Sequence, residues 1–594
     1  MVLVSAIVLV TVLLFFNWNW FRPALEHYVS YKSHRIVKAD DMQLEFSRSL
    51  KPTIKFRNLY IQNASWSSPR PLVSAKEISF SFSSFRMPFS DTPGVVEISM
   101  SGAEVNLERL EDGTRNWRLI KPEYRGPGRY LVMALRADSS IVHFTDHSHA
   151  LDLIAQSNPA STDHLISTSS SPASLSNRIT FKGTYHDKDF RGDTLTGQRL
   201  TFQKTGQVFP IQGIAYSGKA ALNVSGDLGD IFKNQIIDAD INFSTPSASA
   251  INPFMNTHFP DTHPINVHTH LVKKSDTYDA NNLQGRLGST DVAGKLTYIH
   301  DKNRPSLKGS LSSNETQLND LLSMMPGKES AKPAIGGSGS IVSRHTISTE
   351  AFKSQDLDLS LSVHKFLSPN LPLIEDLHMK VALINGDLKI NPMNAMLFGT
   401  SINATLSLNA QAQPISAQVV IDTQNFAINK ALANTKLHDM VSAPLTAHIH
   451  MNSISDSTGK LLDNASGKMD FKVGRGEISN KLDAKMGLDF GKLVWLSIRG
   501  DKEIPLDRAA IHLDFKNGIG LSHDTEFETS QTITQGIGSI NLQNDSLDFL
   551  LTPRPKDPTI FSLKSNIRIY GPLNKPQFKI ERRSSTEKHL HENT

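Results

Sequence analysis

The groups in this sequence best suited to chemistry are histidines and carboxylates, and their spacing argues against most of what such groups do. His258, His263, His268 and His270 form the densest histidine cluster. His268 and His270, two apart, share one face of a strand as a metal pair would. No acidic or cysteine ligand at fixed spacing completes the shell, so surface histidines are the better reading. His143, Asp146, His147 and His149 form a second group, read as the polar end of a strand or loop. The chain has no cysteine, which excludes thiolate zinc, a cysteine nucleophile and disulfides. A nucleophile elbow, a phosphate loop, a dinucleotide fingerprint and a His-Glu-x-x-His helix are all absent. The sequence therefore assigns no catalytic residue, no metal ligand and no cofactor, and reads as a non-enzyme.

Charge narrows the partners. Lys and Arg number 62 against 58 Asp and Glu, a net charge of +4, and the basic residues are scattered rather than gathered into a stripe. Nucleic acid is not an expected partner.

The residues singled out for a role lie near the N-terminus. Met1 to Phe16 is an uncharged apolar run, and Trp18, Trp20 and Arg22 follow it. As a helix the run is about 24 Å long, and Asn17 to Trp20 extend it toward the roughly 30 Å of a bilayer core. Tryptophan suits the headgroup level and Arg22 the water beyond, so these three residues are expected at a membrane interface. The rival is a cleaved signal peptide, but Phe16, Trp18, Trp20 and Phe21 stand where small residues are required. Lys and Arg are absent before the run, whereas Arg22, Lys32, Arg35 and Lys38 follow it. By the positive-inside rule alone the body would be cytoplasmic, although long domains translocate largely regardless of charge.

Elements of the body follow from periodicity. A helix is expected from Pro23 to Ser33, with Leu25, Tyr28 and Val29 on one face. Beyond it, apolar residues alternate with polar ones in Ile237 to Phe243, Leu357 to Val363, Leu377 to Leu383, Ile402 to Leu408 and Met469 to Val473. That period describes strands with one apolar and one wet face. Turns at Glu111-Asp112-Gly113, Asn385-Gly386-Asp387 and Asn517-Gly518 join them into an antiparallel meander. Short helices are expected at Gln317 to Met325, at Ile428 to Leu432, and through Ile478, Leu482 and Met486. The prolines 553, 555, 558, 572 and 576 suit a terminal sheet edge or a docking end.

Several segments, in order, resemble the AsmA family. They are the junction Asn17 to Glu26, then Leu59 to Trp66, Val105 to Trp117, Ala221 to Leu228, Leu287 to Leu296, Gly386 to Pro392, Gly536 to Asp548 and Tyr570 to Pro576. The resemblance implies a single-pass anchor in a bacterial inner membrane, a periplasmic body of repeated β-units, and kinship with TamB-like and chorein-like lipid-transfer bridges. It also implies a part in outer-membrane biogenesis or lipid handling, with membrane phospholipids, and envelope or outer-membrane assembly proteins, as partners.

The expected fold is mainly β: an elongated antiparallel sheet of repeated units, groove-like or sandwich-like, with one N-terminal transmembrane helix and few short helices. Its parts are an anchor over 1–20, an AsmA-like β-region over 21–156, a Ser-rich loop over 157–176 and a middle β-region over 177–325. A linker over 326–340, a C-terminal AsmA-like β-region over 341–581 and a disordered tail over 582–594 complete it. Carrying a phospholipid through water exposes two acyl chains, about 24 kcal/mol gross for roughly 30 methylenes. An apolar sheet face keeps them dry without any catalytic group. Identical alternation also builds a closed sandwich core, in which case the body would be a scaffold assisting outer-membrane protein assembly. The two differ only in whether the apolar face is covered.

Overall fold

The structure, a computed structural model, describes residues 17–46, 52–82, 94–119, 130–160, 175–197, 200–201, 208–229, 236–255, 259–301, 303–324, 352–368, 372–431, 440–481, 483, 502–557, 565–573 and 576–582. The apolar run Met1 to Phe16, expected as a membrane span, lies outside them, as do most of the Ser-rich stretch, the 326–340 linker and all but the start of the 582–594 tail. Among the described residues no helix is long and apolar enough to cross a membrane. The chain forms two compact units, Met1–Gly285 and Arg286–Thr594.

The first unit begins with a 3-10 turn, Trp18–Phe21, which runs into the helix Arg22–Ser33 with Pro23 in its first turn. His34 ends that helix in the left-handed region at φ 54°. One sheet follows, in which Pro52–Ile61, Val73–Phe82 and Gly94–Arg109 pair antiparallel in sequence order. From Leu151–Pro159 through Asn177–Tyr185, Lys188–Thr196, Val208–Ser217 and Ala220–Gly229 to Ile236–Thr245 and Ile265–Lys274 the sheet is again antiparallel.

Between these runs the meander expected from sequence is interrupted. Gly94–Arg109 pairs parallel with Tyr130–Asp138 and then with Ser140–Asp146. The two shorter strands are one line of chain broken at Ser139, φ 48°, and the Ser140 hydroxyl accepts the Ala103 N–H at 3.2 Å across the break.

The second unit repeats this plan. Ser306–Gln317 pairs parallel with Asp356–Leu367, and the strands that follow are antiparallel neighbours as far as Gln577–Arg582. The parallel step is pinned by Arg304, which meets the Asp356 carboxylate at 2.5 Å and donates to Asn385 Oδ1 at 2.9 Å. The sheets are thus mixed rather than purely antiparallel. Asn385-Gly386 and Asn517-Gly518 have φ of 51°, 80°, 50° and 76°, the primed turns that match strand twist.

The expected short helices are observed at Leu318–Ser323 and Ile428–Ala431. Ile478 is instead in the strand Gly476–Ser479, paired with Val441 and Ile504, with helical backbone starting only after it, while Leu482 and Met486 lie outside the described residues. Its apolar side chain is claimed by a core cluster with Ile504 and Leu506, which overrides the helical spacing. Pro553 is buried within the strand Ser546–Pro555, opposite Thr534 of the preceding strand.

Candidate functional site

Cross-strand register brings the apolar residues of each unit into rows that run perpendicular to the strands. In the second unit one row reads Leu311, Leu361, Met379, Met393, Ala404, Ile421, Ile449, Met469 and Leu513, each directly opposite the next. A parallel row holds Leu359, Val381, Ile390, Leu406, Val419 and Met451. From Leu311 to Met469 is about 34 Å at the usual 4.7–4.9 Å between strands. In the first unit the corresponding row runs Val73, Val105, Val142, Ala155, Phe181, Gly192, Ala215, Leu222, Phe243 and Val267.

The rows differ along their length in what covers them. One buried cluster gathers Val37, Leu59, Ala75, Ile78, Ala103 and Val105, with Val29 of the helix and Val142 packed against it. Others gather Met451, Leu513, Phe515 and Phe549, and Ala443, Ile478, Ile504 and Leu506. Leu361, Met379, Met393 and Ile421 are half-buried, whereas Leu377 and Leu383 on the same face are 4% and 2% exposed and Leu513 is 2% exposed.

Charged groups occupy the opposite face. Asp422, His448, Asp470 and His512 stand in one register row, with His448 and Asp422 2.7 Å apart and His512 and Asp470 2.6 Å apart. Of the histidines singled out by spacing, His270 hydrogen-bonds Asp240 at 2.9 Å and lies 3.1 Å from Asp238 on that face, while His258 lies outside the described residues. His147 pairs with Glu108 at 3.1 Å and His149 with Asp146 at 3.1 Å, so the second group is divided between separate carboxylates. Among the described residues no group of three or more His, Cys, Asp or Glu is gathered to hold a metal. The depression lined by Arg178, Asp193, Asn223, Asp240 and His268 is an open hollow on this polar face.

At the N-terminal end the structure builds a polar hub that spacing alone did not reveal. Asn116 is fully buried; its amide donates to Asn63 Oδ1 at 3.0 Å and to the Asn106 carbonyl at 2.8 Å, and its Oδ1 accepts the Glu108 N–H at 2.8 Å. It thereby ties together two of the segments that carry the family resemblance, Leu59 to Trp66 and Val105 to Trp117. Burial pushes the Glu108 carboxyl up, but hydrogen bonds from Ser67, His147 and Ser68 outweigh it and hold the group below its usual range. Asp146 is likewise pushed up by burial and held low overall by Ser148, His149 and the Arg109 charge. Such depressed carboxyls stay ionised at neutral pH and suit structural anchoring rather than proton transfer.

Trp18, Trp20 and Arg22 lie together at the start of the described chain. The Trp18 and Phe21 rings are 6.1 Å apart, and Trp20 is 76% exposed. Arg22 pairs with Glu26 at 3.5 Å and donates to the Asp40 carbonyl.

The sequence model described as AsmA family matches residues 1–124 and 256–525. The AsmA family protein YhjG of Escherichia coli (strain K12) is 24% identical over 418 residues, 67% of this chain and 60% of that protein. The chain thus matches about 60% of the length of this curated relative. No solved structure matches.

Proposed function

The chain belongs to the AsmA family, which points to an envelope-related role, and from that premise we propose that it handles phospholipid along its apolar sheet rows. The supporting observation is the apolar rows within each unit, which run from strand to strand and in which Leu361, Met379, Met393 and Ile421 are only half-buried. Acyl chains laid on Leu311, Leu361, Met379 and Met393 would replace water there at a gain of about 0.8 kcal/mol per buried methylene. The Asp and His rows keep the reverse face wet. Met1 to Phe16 serves as a single inner-membrane span with Trp18, Trp20 and Arg22 at the interface, and the body works in the periplasm in outer-membrane biogenesis. No bond is made or broken in this reading, so it needs no catalytic residue or cofactor.

The test is mass spectrometry of lipids that co-purify with residues 17–594 secreted into the periplasm and isolated without detergent. Stoichiometric phospholipid, lost in Leu361→Asp and Met379→Asp, is the expected result. Lipid-free, monodisperse protein would overturn the proposal in favour of a scaffold for outer-membrane protein assembly.

A further inference from the structure

The helix Arg22–Ser33 has two faces of opposite character. Its inner face is fastened to the first strands. Val29 packs on the buried cluster, Glu26 Oε1 accepts the Ala39 N–H at 2.9 Å, and Ser30 Oγ accepts the Val37 N–H at 3.0 Å. Just before the helix, Asn19 Oδ1 accepts the Met42 N–H at 3.2 Å. With Arg22 bound to the Asp40 carbonyl, these contacts fasten the helix to the first strands at several points along its length.

The outer face carries Phe21, Ala24, Tyr28 and Tyr31 at helical spacing, with Trp20 at its head. Exposure reaches 53% for Phe21, 60% for Tyr28 and 69% for Tyr31. A contiguous aromatic stripe of this kind is costly to leave in water. Its residue types have an apolar body and, in Trp and Tyr, a polar tip, which is the composition favoured at the level of lipid headgroups. The nearby charges agree: Lys32 is exposed and Arg35 follows, while Glu26 is turned inward onto Arg22 and Ala39. The apolar run Met1 to Phe16 ends immediately before this stripe.

We propose that the outer face of the helix Arg22–Ser33 is a second membrane contact, lying along the bilayer surface with Phe21, Tyr28 and Tyr31 among the headgroups. This rests on the membrane reading of residues 1–16. It adds that the sheet is held against the surface in one orientation instead of hanging from a flexible tether. Because Val29, on the reverse side, packs on the cluster that contains Val105 and Val142, the first members of the apolar row stand about one helix diameter, roughly 10 Å, from lipid.

The absence of cysteine makes a direct test simple. Single variants Trp20→Cys, Tyr28→Cys, Tyr31→Cys and Glu111→Cys of the full chain are labelled with a polarity-sensitive fluorophore. They are then reconstituted into vesicles of phosphatidylethanolamine with a minority of phosphatidylglycerol. The expected result is a blue shift and loss of aqueous iodide quenching at positions 20, 28 and 31, with position 111 remaining aqueous. Shielding at 20 alone would overturn the surface contact and leave the anchor standing. An aqueous signal at all four would overturn both. Equal shielding at 28 and 31 in lipid-free polymer would also overturn the proposal, because protein contact would then be covering the stripe.

Discussion

If the middle of the second unit presents an uncovered apolar face, truncating a row residue there should cost less stability than truncating its row-mate in the covered cluster. Leu361 and Leu513 form such a pair: both lie in one register row, but Leu513 is 2% exposed and clustered with Phe515 and Phe549, while Leu361 is half-buried between Leu311 and Met379. Leu513→Ala leaves a cavity and should cost about 2–5 kcal/mol. Leu361→Ala removes three carbons that are partly wet already and leaves no enclosed void, so it should cost about 1.5–2 kcal/mol at 0.8 kcal/mol per methylene discounted for exposure. Urea titration followed by hydrogen exchange in the strands Asp356–Leu367 and Glu503–Lys516 reads both costs locally. A Leu361→Ala cost equal to that of Leu513→Ala would refute the reasoning, because only a second layer over Leu361 could produce it.

Three further outcomes follow from named contacts. Asn116→Ala should destabilise the N-terminal unit by about 2–4 kcal/mol, read by thermal melting, because it removes the acceptor of the Glu108 N–H and the donor to the Asn106 carbonyl and Asn63 Oδ1 in a buried site. At Gly538 an added Cβ would lie 2.3 Å from the Phe549 ring, so Gly538→Ala should cost about 1–3 kcal/mol and loosen exchange in the strand Thr532–Asn541. The Asp291 carboxyl is pushed up by burial but held low overall by the N–H groups of Glu315 and Asn314, at 2.8 and 3.0 Å. A lowered pKa stabilises fully above the ordinary carboxylate range near 4 and is lost as pH falls through the lowered value. Exchange in the strand Ser306–Gln317 should therefore quicken in acid, and Asp291→Asn should flatten that acid limb.

The sequence made the strands legible because alternation is a local property: each of the five alternating runs lies in a strand. Turn chemistry was legible for the same reason, as Asn385-Gly386 and Asn517-Gly518 show. Parallel joins were not, since Ser306–Gln317 and Asp356–Leu367 have the same alternation whichever way they run, and the choice is made by Arg304 reaching Asp356 some fifty residues on. Tyr28 and Val29 were grouped on one helix face, yet adjacent residues are about 100° apart, and Val29 turns to the core while Tyr28 faces out. Asn116 looked like any turn-proximal asparagine until Asn63 and Asn106 were brought to it. Depth of burial along the apolar rows was the least legible feature, because Leu361 and Leu513 sit in equally regular alternations yet Leu361 is half-buried and Leu513 is 2% exposed in a packed cluster.

That last difference bears on mechanism. Along the row from Leu311 to Ile421 the side chains are Leu, Met, Ala and Ile, with bulges beside Met379 and Met393 and no charged residue in the line. A chain resting on such a row exchanges one set of dispersion contacts for an equivalent set when it shifts by a strand, so no position holds it more firmly than the next. The methionines, flexible at three bonds, smooth what unevenness remains. A surface of this kind lowers the cost of the whole path while favouring neither end. In the proposed function, direction would therefore have to come from a difference in lipid supply or from a coupled machine, and replacing one row residue by a larger apolar one should slow passage without changing which way lipid moves.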